Sequence, residues 1–374
     1  MVLLEKLNEP RVRTVMAVLS LAVVWAIPIW HFSLEWNINP QYHYGWAVPL
    51  LMLYLIRLRI SDRPSPSYPW KSHRRMALLV MCALVALYFP LIVVRTANPE
   101  WRPLGYVVAF QSIGLTLLGI YISAGWRMMW HFAFPVGFFL VAVPWPRPVD
   151  APLMDFLMQK NASIAIEGLL WEGFAAARKG NLVILPNGTV GVDEACSGIR
   201  SLQGTLMLGL FLGEMYRLGF LWRFGLLIGG AGIALVTNSV RAFWLAREAA
   251  YQGIDSVDAL HETAGYSILG VNFALLWLLT ATFSKLPGLQ IGRLRDWWEH
   301  VCSDQGEDTS QWGRPSPVWA GALGAVAIAG FAFSDWWYKR GENLAQPTLN
   351  WSVGEPTREP GFKREPISDK VYIF

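Results

Sequence analysis

Met76–Val94 reads MALLVMCALVALYFPLIVV, an uncharged run closed by Arg74 and Arg75 on one side and Arg95 on the other. At 1.5 Å per residue, a helix of this length covers about 28 Å. That matches the ~30 Å hydrocarbon core of a bilayer. Working outward, further apolar runs lie near 14–30, 45–57, 104–124, 128–145, 200–216, 221–240, 264–283 and 317–337. They predict an all-α integral membrane protein, a polytopic helical bundle of about eight to nine transmembrane helices. Composition agrees: 54% of the 374 residues are hydrophobic, 20 are Trp, and only 16% are charged. A soluble domain carries about 25% charged residues.

The net charge of +4 therefore does not point to nucleic acid, and membrane lipid is the expected surrounding. In membrane proteins positive charge collects in cytoplasmic loops. With the N-terminus inside, the inner loops hold Arg57, Arg59, Arg63, Arg74, Arg75, Arg217 and Arg223 among others; the short outer loops hold only Arg95, Arg102, Arg241 and Arg247. This predicts a multi-pass protein of the cytoplasmic (inner) membrane with a cytoplasmic N-terminus. The apolar run after Arg13 lacks a following small-residue cleavage site, so it is expected to stay as the first span. The expected organisation is a membrane domain over 1–337, with an extracytoplasmic insertion at 146–199, and an irregular extracytoplasmic tail over 338–374. Within the insertion, 155–177 has a helical period with charges and reads as an interfacial or partly inserted helix.

The insertion also contains NLVILPNGTVGVDEACSG, residues 181–198. Asn187-Gly188 between β-prone runs signals a hairpin, because both residues tolerate positive φ. Its arms are expected at 182–185 and 190–192. The second arm leads through Asp193 and Glu194 to Cys196, at the mouth of the helix starting near Arg200. A cysteine at a helix N-terminus feels the positive dipole end, which favours thiolate. Cys82, inside a uniform apolar run, reads instead as a small buried hydrophobe. Cys302, in a polar loop, reads as an incidental thiol.

Two other polar stretches break the apolar runs. Asn238 and Arg241, three apart on one helix face, fall at the outer end of the seventh span. An ionisable group at membrane depth is expensive and usually paired or functional, although an arginine at a helix end can also snorkel, as Arg247 is expected to do. His261 lies at the outer end of the eighth span. One Cys, one Arg and one His thus fall on the same side. Those types suit thiol acyl transfer: Cys196 attacks a peptide carbonyl, His261 moves the proton, and Arg241 faces the oxyanion. Arg200, one turn after Cys196, competes for the oxyanion role or partners the thiolate; Asn238 orients Arg241 or donates to substrate. Glu194 supports the loop or contacts a basic group. No HExxH, no CxxC and no Cys/His metal spacing occurs, so neither metal nor cofactor is expected.

EACSGIRSL at 194–202, NSVR at 238–241 and HETAGYSILG at 261–270 together resemble the three signature blocks of the exosortase/archaeosortase family, in the family's order. The resemblance covers a core of about 76–283. It implies a membrane-embedded cysteine protease or transpeptidase acting on secreted proteins. These carry a PEP-CTERM-like C-terminal sorting signal: a short motif, a membrane helix and basic residues. It also implies that Cys196, Arg241 and His261 are the catalytic residues, at the outer face of the membrane. The rival readings are a polytopic transporter, in which Cys196 is incidental, and a glycan-export or assembly protein without peptide chemistry.

Overall fold

The computed structural model describes residues 10–67, 71–98, 101–186, 188–192, 197–253, 255–286, 329–330 and 332–341. Helix α1 (Pro10–Ile38) passes through a 3-10 turn (Pro40–Trp46) into α2 (Ala47–Ile60). Next come α3 (Lys71–Ala86), α4 (Tyr88–Ala97), α5 (Arg102–Ala124) and α6 (Trp126–Gly137). A 3-10 turn (Phe138–Ala142) leads to α7 (Arg147–Trp171). Strands β1 (Ala177–Lys179), β2 (Leu182–Leu185) and β3 (Gly188–Gly191) precede α8 (Ile199–Met215), α9 (Phe220–Gln252) and α10 (Asp255–Lys285). Residues 1–331 and 332–374 form separate compact units; in the second, a helix over 332–341 carries a Lys339–Asp335 ion pair of 2.7 Å.

Five helical segments among the described residues are long and apolar enough to cross a membrane: Val18–Ile38, His73–Ala97, Arg102–Ala124, Phe220–Gln252 and Thr263–Lys285. A bent pair, Trp126–Ala142 and Arg147–Trp171, makes a sixth if it is one span. The chain is a multi-pass membrane protein, but this count falls short of the eight to nine expected spans. The reasons are local. The runs at 45–57 and 200–216 form helices of 14 and 17 residues, short of the ~20 that a straight crossing needs. The expected span at 317–337 lies mostly outside the described residues, as does the expected irregular tail beyond 341.

The run at 128–145 breaks because Pro144, Pro146 and Pro148 remove helix donors and forbid the preceding turn. The two halves meet at 67°. Away from water, the backbone groups freed at such a break must find partners. Trp36 Nε1 donates to the Ala142 carbonyl at 2.9 Å, and Tyr44 Oη to Val141 at 3.2 Å. Trp145 N–H donates to Tyr42 Oη at 3.1 Å, and Arg102 Nη1 to the Trp145 carbonyl at 3.1 Å. The α1–α2 corner and the start of α5 thus hold the break shut. Beneath it, Trp36, Phe32, Phe139 and Trp25 pack ring against ring.

The same residues extend into a buried charged network. Arg102 binds Asp150 at 2.8 Å and Glu35 at 2.9 Å. Asp150 also accepts from Tyr42 Oη at 2.9 Å and Gln41 Nε2 at 2.8 Å. Gln41 Nε2 in turn reaches Gln203 Oε1 at 3.2 Å, tying the break to α8. Toward the far end of α8, about 17 Å from Gln203 by helix rise, buried Glu214 accepts from Arg59 Nε at 2.6 Å and pairs with Arg223 Nη1 at 2.6 Å.

The helix expected over 155–177 as an interfacial or partly inserted element is the later part of the long α7, which ends at Trp171 before β1 begins at Ala177. Its buried stripe packs on the sheet and on the last turns of α9, through Ala162, Ala165, Leu169, Val183, Leu185, Leu245 and Ala249. Strand β2 alternates as a half-buried strand must, with Val183 and Leu185 inward and Ile184 outward. The expected hairpin exists, shifted by one residue. Leu185 pairs with Gly188, so Gly188 belongs to β3, while Asn187 lies outside the described residues. A third strand, β1, pairs antiparallel with β2 across Gly180-Asn181. Cys82 also differs from expectation: it is exposed on α3, on a surface that faces lipid in a membrane.

The network at the break yields a stability test. Arg102→Ala leaves buried Asp150 and Glu35 without their cation, and breaking such a pair costs about 3 kcal/mol. The melting midpoint in detergent is expected to fall by several degrees, and Arg102→Lys to recover part of the loss.

Candidate functional site

Residues 193–196, with Asp193, Glu194 and Cys196, lie outside the described residues, but both flanks are fixed. Upstream, Val192 is buried, donates its N–H to Asn181 O at 3.0 Å and accepts from Asn181 Nδ2 at 2.9 Å. Downstream, Ser197 is buried and its hydroxyl accepts the Ile199 N–H at 3.3 Å, serving the first turn of α8. Asn161 on α7 donates from Nδ2 to the Ser197 carbonyl at 3.0 Å. Its Oδ1 accepts from the Ser239 hydroxyl of α9 at 3.1 Å.

Gly198 then turns into α8 with φ 85°, a left-handed conformation that suits glycine. A Cβ there would lie 2.5 Å from Asn238 Cγ, so the turn is seated directly on the Asn238 side chain. Asn238 is buried, and so is Arg241, one turn further along α9 with 7% exposure. Arg241 Nη2 stands 3.8 Å from where a Cβ of Gly265 on α10 would be. The three polar stretches therefore meet through side chains of α9: the Ser197-Gly198 turn on the Asn238 amide, and Gly265 against the Arg241 guanidinium.

Small residues and one polar clasp allow this approach. Gly230 of α9 sits tightly against its neighbours, with side-chain methyls of Leu276 and Thr205 at 3.0 and 3.1 Å from a would-be Cβ. Thr237 Oγ1 donates to Asn272 Oδ1 of α10 at 2.6 Å, holding α9 and α10 in register beside Arg241. Gly168 of α7 lets the Phe243 ring of α9 approach more closely still, to 2.5 Å from a would-be Cβ.

The remaining candidates separate. Arg200 is exposed on α8, within Coulombic range of Arg241 and Tyr266. The side chain of His261 lies outside the described residues; its position is one turn before Gly265 on the same helix. Helix α9 runs three turns past Arg241, so Arg241 is interior to a helix and not at its end. Arg247, expected to snorkel, donates from Nε to both oxygens of Glu172 at 2.9 Å and lies over the Tyr251 ring. Among the described residues no group of three His, Cys, Asp or Glu converges as a metal ion would require.

Asn161 is the site residue that the sequence reading missed. Its signal was present: an uncharged amide inside the apolar stripe Leu157, Ala162, Ala165 of 155–177.

The arrangement is a polytopic helical membrane protein with a buried arginine, a helix-mouth turn and a third helix gathered under a small sheet. The family described as transmembrane exosortase matches residues 36–278, and the chain belongs to that family. No curated protein and no solved structure matches the chain.

The close seat of Gly198 predicts intolerance there. Gly198→Ala brings a left-handed backbone penalty of about 1–2 kcal/mol, plus the clash with Asn238. Thermal unfolding in detergent should start earlier and Cys196 should alkylate at a changed rate. Wild-type behaviour in both would mean that the turn sits elsewhere.

Proposed function

We propose that the protein is a cysteine peptidase or transpeptidase that cleaves the C-terminal sorting signal of secreted proteins at the extracytoplasmic face of the inner membrane. The observation that carries this reading is the contact of the three polar stretches through Gly198–Asn238 and Gly265–Arg241, within a chain of the exosortase family.

Cys196 is the nucleophile. Its thiolate adds to the carbonyl carbon of the scissile peptide, forming the S–C bond. Arg241 holds positive charge beside the resulting oxyanion; its burial keeps that charge out of bulk water, where it acts more strongly. Arg200, being exposed, suits substrate contact or helix anchoring better than this role. As the tetrahedral species collapses, the C–N bond breaks and His261 gives the departing amine its proton. The acyl group stays on sulfur as a thioester. Water or an acceptor amine, deprotonated by His261, then attacks the thioester and expels the thiolate. Asn238 fixes the turn and so the direction from which the substrate backbone enters.

The orientation rests on charge. Arg57, Arg59, Arg63, Arg217 and Arg223 gather around the Met215 end of α8, and positive charge favours the cytoplasmic side. The opposite end, with the turn and the sheet, then faces outward, where a scissile bond just outside a substrate's own anchor helix reaches Cys196.

Cys196→Ala is expected to abolish processing of a sorting-signal substrate in membranes, while Cys82→Ala and Cys302→Ala process normally. Arg241→Lys keeps charge but loses the planar donor fork, and the rate should fall on the order of a hundredfold to a thousandfold; Arg200→Lys should be milder. Normal processing by Cys196→Ala at equal expression would rule out the thiol mechanism, and no processing even by the wild-type protein would favour the transporter or glycan-assembly reading. Separately, a cysteine introduced at Gly180 in a Cys-less background should react with an impermeant maleimide from the extracytoplasmic side. Reaction only from the cytoplasmic side inverts the topology.

A further inference from the structure

We propose that Asn161 is a positioning residue for the Cys196 thiol, a role that rests on the assignment of Cys196 as nucleophile. Asn161 is 4% exposed and lies in the stripe by which α7 packs on its neighbours, one turn after buried Leu157. An apolar side chain would fill such a place at lower cost. A buried amide is tolerated only when its donors and acceptor are used. Here they are used on two different elements: Nδ2 donates to the Ser197 carbonyl and Oδ1 accepts from Ser239. The assignment of the two amide ends is forced, because a carbonyl can only accept. The Ser239 hydroxyl also lies 3.0 Å from the Leu235 carbonyl of its own helix, so its single proton is shared between the two acceptors.

The consequence falls on the residue next to Cys196. Three independent contacts fix the chain from Ser197 to Ile199: Asn161 holds the Ser197 carbonyl from α7, the Ser197 hydroxyl holds the Ile199 N–H, and Asn238 seats Gly198 from α9. Asn161 touches Ser197, the immediate neighbour of Cys196, and reaches Ser239, two residues before Arg241 on α9. It therefore sets the separation between the nucleophile's turn and the helix that carries the guanidinium. Misplacement of a reacting group by about 1 Å can cost on the order of a hundredfold in rate. The polar contact gives a register that an apolar filler would not specify.

The test uses the full-length protein in membranes, with Cys82→Ala and Cys302→Ala in the background so that Cys196 is the sole thiol. Asn161→Asp keeps the shape and the acceptor but loses the donor to Ser197. Asn161→Leu keeps the volume and loses both bonds. Cleavage of a sorting-signal substrate is measured against substrate concentration, together with the alkylation rate of Cys196 by N-ethylmaleimide. Both variants are expected to lower kcat ten- to a hundredfold with KM within twofold, and to change the alkylation rate. Ser239→Ala should do the same more weakly. Ser163→Ala, at a half-buried position on the same helix that faces Arg178 and not Ser197, should leave both readouts unchanged. If Asn161→Leu fails to accumulate, the Asp variant and Ser239→Ala decide. Unchanged kcat and alkylation in the Asp variant would overturn the positioning role. Cys196→Ala in the same assay separates the two ideas: residual cleavage there refutes the nucleophile itself, whereas a dead Cys196→Ala with a fully active Asn161→Asp refutes only the role of Asn161.

Discussion

The structure depends on what happens to the backbone between Phe138 and Arg147. Proline there ends a membrane helix, and the freed carbonyls and N–H groups have no water to turn to. Trp36, Tyr42, Tyr44 and Arg102 supply the partners. This explains why so aromatic a corner sits at the end of α1, and why Arg102 can be half-buried beside two carboxylates. The arrangement also fixes where α7 begins and, through the 67° bend, where it points. Asn161 lies four turns along that helix. A constraint on hydrogen bonding at the break is thus transmitted as a position at the turn next to Cys196, and the Gln41–Gln203 bond couples the same corner to the helix that the turn opens.

Arg241 and Arg200 illustrate how burial divides labour between like charges. Both stand near the turn, and both repel each other across it. Arg241 is enclosed by α9 and α10, with glycine at 265 leaving room for the guanidinium. Its field acts through little solvent. Arg200 is exposed, and water or headgroups screen it. Only the enclosed charge is preorganised toward a fixed point. Enclosure in turn requires the small residues at 230 and 265 and the Thr237–Asn272 clasp.

Much of this was legible in the sequence. Length and uniformity of the apolar runs gave the helical membrane class, and the polar interruptions drew attention to Cys196, Asn238, Arg241 and His261. Asn187-Gly188 between β-prone runs gave the hairpin. What was not legible depended on tertiary contact. The break at 138–146 reads as one apolar run, because hydropathy does not see that three prolines within five residues outweigh it. The hairpin slipped by one residue because Asn187-Gly188 satisfies turn chemistry in either register, and the packing of Val183 and Leu185 on α7 decides it. The Gly180-Asn181 turn that adds β1 carried a signal that went unread. Asn161 escaped because a lone amide in an amphipathic helix looks like a surface residue until the facing helices are known.

The family match from Trp36 to Trp277 and one residue beyond contains the whole of this chain of causes: the corner, the break, α7, the sheet, the turn and the two helices around Arg241. The sheet's part in it is mechanical. Three short strands alone would be marginal in water, but Val183, Leu185 and Val192 sink into the same core as α7 and the last turns of α9. The sheet is therefore an abutment for the segment that follows it. Asn181 grips Val192 on one side and Asn161 grips Ser197 on the other, so only residues 193–196 bridge the two holds.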